Sequence, residues 1–135
     1  MIFTQHHRLD IVNKIVIFEA SGDTDQVDKM GIVIQKAVAL AVEHKLKGVL
    51  LDLTELGMNY DPVPLVEAFE KVKKENWLAS IKIARLIAPG DYTNEFINHI
   101  CHELELPIRT FESKSKAISW LLYNFEGLSP AANGE

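Results

Sequence analysis

The run GVLLDL, residues 48 to 53, constrains the fold more than any other stretch. It has no polar alternation, so neither of its faces can be left to water. A strand of this kind is covered on both sides, as in a parallel sheet. A polar loop, TELGMNY, is expected after it, then Asp61 as a cap and Pro62 as the first residue of a helix, a standard helix start. Leu65, Val66, Phe69 and Val72 recur at helical spacing and predict that helix's inner face.

The flanking segments extend the alternation. Residues 2–6 and 13–20 read as two strands joined by a turn around Asp10, hence a hairpin. The segment from Ser21 to Gly48 reads as a helix, with Asp23 or Thr24 as cap and Asp25 and Asp28 near the positive end of its dipole. Its predicted buried stripe is Val27, Met30, Ile34, Val38 and Ala41. Gly31 is expected to serve close packing against the sheet, and Gly48 to take the left-handed stop. SIKIARLIA, 80 to 88, is the next strand. A helix capped by Asp91 follows, with Phe96, Ile97, Ile100 and Leu104 inside. PIRTF is a short strand and SKSKAISWLLYNF a last helix. The order ββαβαβαβα predicts one α/β domain with a mixed, mostly parallel five-stranded sheet, helices on both faces and right-handed crossovers. The domain is expected over 1–125, with a disordered tail over 126–135.

Composition excludes several function classes. A net charge of −5 with scattered basic residues disfavours nucleic acid. The single Cys101 permits no internal disulfide or cysteine metal cluster, and fits a cytoplasmic setting. The N-terminus lacks the apolar core of a signal peptide, and no run approaches the length that spans a bilayer.

Candidate chemistry is sparse. His99 and His102 are three apart on a helix, but Phe96, Ile97, Ile100 and Leu104 claim the inner face and leave the histidines wet, so no metal is expected. His6 and His7 point to opposite faces of a strand. Cys101 reads as an inert, partly buried thiol, and Glu67 and Glu70 as a solvated pair. No nucleophile and base stand at a recognisable spacing, so no catalytic residue is assigned and no cofactor is expected. The helix start at Asp61 is a poor phosphate cradle: Pro62 and Pro64 carry no N–H, and only Gly57 loosens the loop. Arg85 is conspicuous inside an apolar strand. A buried guanidinium needs a carboxylate or a bound anion, and Asp52 and Glu19 are the candidate partners. Trp77 and Tyr60 flank the second helix as packing residues or as a partner surface.

The order of elements, with KGVLLDLTEL at its centre, resembles the STAS domain of the sporulation anti-sigma-factor antagonists. The ending IRTFESKSKAISWLL is similar to the SpoIIAA-like (STAS/SEC14-related) subfamily, through Phe111, Ala117, Trp120 and Leu121. The resemblance covers roughly residues 13 to 122. It implies a bacterial, non-enzymatic regulatory or protein-interaction module. In the antagonists the matching strand leads to an Asp-Ser whose serine a kinase phosphorylates. Here no hydroxyl follows Asp61, and neither Thr54 nor Tyr60 occupies that position, so the switch is not carried over. The expected partner is a protein or a second copy, docked through the sheet edge or the second helix; a homodimer would use the edge strand of the hairpin. SEC14-like relatives imply an alternative, a carrier of a small apolar ligand held by Met58, Tyr60, Val63, Phe69 and Trp77. A small enzyme is the third reading. Asp52, Thr54, Met58, Tyr60, Asp61, Val63, Phe69, Trp77 and Arg85 together form the expected ligand or partner surface.

Overall fold

The structure, a computed structural model, describes residues 3–24, 27–58, 62–89 and 92–123. The expected caps Asp61 and Asp91, the charge at Asp25, the side chain of Tyr60 and the predicted tail 126–135 lie outside these residues. Strands β1 (Thr4–Asp10), β2 (Ile15–Thr24), β3 (Gly48–Met58), β4 (Lys82–Leu86) and β5 (Ile108–Phe111) alternate with helices α1 (Val27–Glu43), α2 (Pro62–Lys74) and α3 (Tyr92–Glu103). Helix α4 (Lys114–Tyr123) ends the described chain. The five strands form one sheet in the order β1-β2-β3-β4-β5, antiparallel only between β1 and β2.

This order places β3 at the centre. Val49, Leu50, Leu51 and Leu53 are all buried, so the unalternated run is covered on both faces as expected. Val49, Leu51 and Leu53 join the core beneath α1, α2 and α3, while Leu50 joins a smaller core beneath α4. Three helices on one face are what repeated right-handed crossovers between sequential parallel strands require.

The C-terminal pattern closes the opposite face, with Phe111 from β5 and Ala117, Trp120 and Leu121 from α4. The rings of Phe111 and Trp120 lie 5.8 Å apart, and Ala117, Trp120 and Leu121 are buried against Leu50, Ala84 and Leu86. The Lys82 ammonium stands over the Trp120 ring, 4.2 Å from its centre, a cation–π contact with the ring's face.

Several local expectations are corrected. The segment 54–58 is not a loop: β3 continues to Met58, alongside a β2 that itself runs on to Thr24. The register slips by one residue between Glu19 and Ser21, the mark of a β-bulge. The bulge lets polar residues continue the ladder where no hydrophobic pattern announces a strand. Asp23 and Thr24 therefore belong to β2 instead of capping a helix.

Gly48 does not stop α1. Lys45 takes the left-handed position (φ 56°), and the Leu46 amide donates to the Ala41 carbonyl at 2.8 Å. Helices α2 and α3 end the same way. Asn76 and Glu105 have positive φ, and the Trp77 and Leu106 amides reach back to the Val72 and Cys101 carbonyls. In each case an apolar residue follows the left-handed one and folds onto its own helix, as in a Schellman motif. Gly48 instead opens β3 where α4 presses closest. On α3, Phe96 is 37% exposed and not inside, while Asn94, Ile97, Ile100 and Cys101 form the buried stripe.

Candidate functional site

Strand alternation divides the expected surface residues between two faces. Asp52 lies on the α4 side, next to Glu19 across the strand pair. Its Oδ1 accepts from the Thr54 amide at 3.1 Å and the Thr54 hydroxyl at 2.7 Å. Carboxylate and hydroxyl thus brace the bulge in β3, which is a structural task for both.

Arg85 follows Ala84 and so points to the other face, among the three helices. Neither Asp52 nor Glu19 is its partner, because both stand across the sheet. Arg85 is 5% exposed. It donates to Thr110 Oγ1 at 3.0 Å and to Asn94 Oδ1 at 2.6 Å. Sequence reasoning missed both acceptors. Asn94 carried a usable signal: it stands three residues before Ile97 and seven before Cys101, on the stripe that goes inside.

Beside Arg85 is a cavity of about 50 Å³ lined by apolar side chains, Leu51, Leu65, Phe69, Val72, Trp77 and Ile97 among them. Phe69, Trp77 and Arg85 therefore line one space. The space admits water but falls well short of the several hundred Å³ typical of ligand pockets. Trp77 is held from three sides. Its ring packs near Gly31, its Nε1 donates to Glu75 at 3.2 Å, and the Lys71 ammonium sits 5.6 Å from the ring centre. Gly31 thus faces the Trp77 ring, in the turn after α2, rather than the sheet. Met58 ends β3 and Val63 stands in the first turn of α2. Val63 is 68% exposed and does not reach the cavity. The first turn of α2 contains two prolines, so backbone donors for an anion are few there.

The remaining candidates keep ordinary roles. His99 and His102 are exposed, as are Glu67 and Glu70. No group of three or more metal-ligating side chains stands together among the described residues. Cys101 is fully buried, and burial pushes its thiol up to about 12, with Arg85 pulling weakly the other way. Such a thiol is a poor nucleophile. No helix among the described residues is long and apolar enough to cross a membrane.

A buried central strand, a sequential sheet with one antiparallel edge, and helix α4 on the second face define a class: the α/β domains with a SpoIIAA-like, or STAS-like, fold. Two solved structures carry the comparison. An anti-sigma factor antagonist from Mycobacterium paratuberculosis superposes with a TM-score of 0.53 at 14% identity, over 87% of this chain and 94% of its own. An uncharacterised protein of the DUF3478 family with a SpoIIAA-like fold, from Shewanella loihica, gives 0.55 at 17% identity, over 90% of this chain and 96% of its own. No family model and no curated protein matches the chain. The chain has the SpoIIAA-like fold.

Proposed function

We propose that the protein is a non-enzymatic regulatory module that works by docking another protein, with the start of α2 as the contact. The observation that carries this reading is Val63. A large apolar side chain 68% exposed in a proline-stiffened first turn is presented at little cost in ordering. It stands just past the carboxyl end of the central strand, where α/β domains place ligands and partners. The likeness to a structure described as an anti-sigma factor antagonist supports the choice of a protein partner. Without a serine after Asp61, the contact would be regulated by something other than phosphorylation at that position.

The test is affinity capture from the source organism with the wild-type chain and with Val63→Asp, which leaves the core untouched. A specific partner kept by the first and lost by the second is the expected result. The same partner retained equally by both would remove α2 from the interface. The apolar-ligand carrier remains a second reading because Phe69, Trp77 and Arg85 share one cavity. At about 50 Å³ its volume weighs against a lipid-sized guest.

A further inference from the structure

Strand β1 is an edge of the sheet, and neither proline, lysine nor a bulge interrupts it. Its seven residues, TQHHRLD, pair with β2 in unbroken register from Thr4–Ser21 to Asp10–Ile15. Natural edges of this length are usually bent, shortened or blocked. The other edge, β5, is only four residues long.

We infer that β1 pairs antiparallel with β1 of a second copy about a two-fold axis at His7, joining two sheets into one of ten strands. The inference is independent of which partner α2 contacts. Three features of the strand argue for a second copy as the occupant.

The first is its backbone. An antiparallel pair leaves the N–H and C=O groups of alternate residues pointing away from the neighbour. On β1 these form a row that an identical strand can satisfy reciprocally, as an isologous contact requires.

The second is charge. On the α4 side, His6 lies beside Glu19, with Asp52 next in the same row. A two-fold at His7 sets Arg8 of the second copy opposite His6. The row then reads carboxylate, carboxylate, imidazole, guanidinium, with the long arginine able to lean toward Glu19. Symmetry repeats the arrangement at the other end of the seam, so each copy supplies both signs.

The third is shape. On the helix side, Gln5, His7, Phe18, Lys36, Ala39 and Glu43 border a concavity of about 450 Å³. In the paired arrangement Leu9 of the second copy lies opposite Gln5, at the rim of that concavity.

The register gives the test. A residue on the axis faces itself at a Cα separation that suits a disulfide, whereas positions one step off face a different residue. The native Cys101 is fully buried and does not compete. The full chain should sediment as a dimer. The His7→Cys variant should become a covalent dimer on mild oxidation. His6→Cys and Arg8→Cys, each at an exposed position, should cross-link slowly alone and readily when the two proteins are mixed. A monomer at the highest attainable concentration overturns the inference. So does a dimer in which neither the His7→Cys protein nor the mixed pair cross-links, because the copies would then meet elsewhere.

Discussion

Arg85 donates to Asn94 Oδ1 at 2.6 Å across the interior, from β4 to the first turn of α3. A charged donor fixed to a neutral amide is a short, strong contact, and it sets how α3 lies on β4. Asn94→Leu keeps approximate size and removes the acceptor. We expect a loss of about 2 kcal/mol, typical of a hydrogen bond to a charged group. Chemical denaturation would show it as a lower midpoint at unchanged slope. A midpoint equal to wild type would mean that the contact contributes nothing net.

Gly48 is a second point where one side chain's absence decides the packing. A Cβ there would stand 2.9 Å from Leu121 Cδ2 and 3.1 Å from the Lys82 carbonyl oxygen. Gly48→Ala should therefore destabilise by about 1–3 kcal/mol, the usual cost of overpacking. Adding Leu121→Ala relieves one clash but not the other, so the double variant should be more stable than the two single effects summed. Strict additivity in thermal melts would rule out this contact as the cause.

Gly31 predicts the opposite sign. Its added Cβ would meet the Trp77 ring at 3.5 Å, an ordinary van der Waals distance. Gly31→Ala should stabilise by about 1 kcal/mol, the helix-propensity difference. A lower melting temperature would show that α1 and α2 approach more closely than described.

Burial holds the Cys101 thiol at about 12, above its ordinary 9.0. A raised folded value means the native state keeps its proton where the unfolded chain has lost it. This penalty is absent below pH 9 and grows as the pH rises from 9 toward 12. At neutral pH an alkylating reagent should leave the native protein unlabelled and modify it fully once unfolded. Rapid labelling of the native chain would place Cys101 nearer the surface.

At the hairpin, the Asn13 amide and side chain both donate to the Asp10 carboxylate, at 3.1 and 3.0 Å, and hold its pKa below the ordinary 3.8. A depressed folded value stabilises the native state at pH above 3.8 and ceases to do so as the pH falls through the lower folded value. Asn13→Ala should therefore lower stability at neutral pH, and the gap from wild type should close in acid. A gap independent of pH would assign the effect to turn geometry alone. NMR titration of the Asp10 carboxyl reports the same shift directly.

The sequence alone determined the order of elements, the interior place of β3 and the proline start of α2. These follow from periodicity and from backbone chemistry, which are local. It also showed that Arg85 needs polar partners. It could not say which, because facing residues across a sheet are set by register, and one step of register exchanges the two faces. Tertiary structure decided that Asp52 and Arg85 lie on opposite sides, that Asn94 goes inside in place of Phe96, and that polar residues 54–58 extend a strand. Each of these turns on distant neighbours: a ladder partner in β2, the Arg85 donor on β4, and its acceptors on α3 and β5. Those neighbours are brought close only by the fold; the helical stripe can mark Asn94 as inward, but no local stretch records which group it meets.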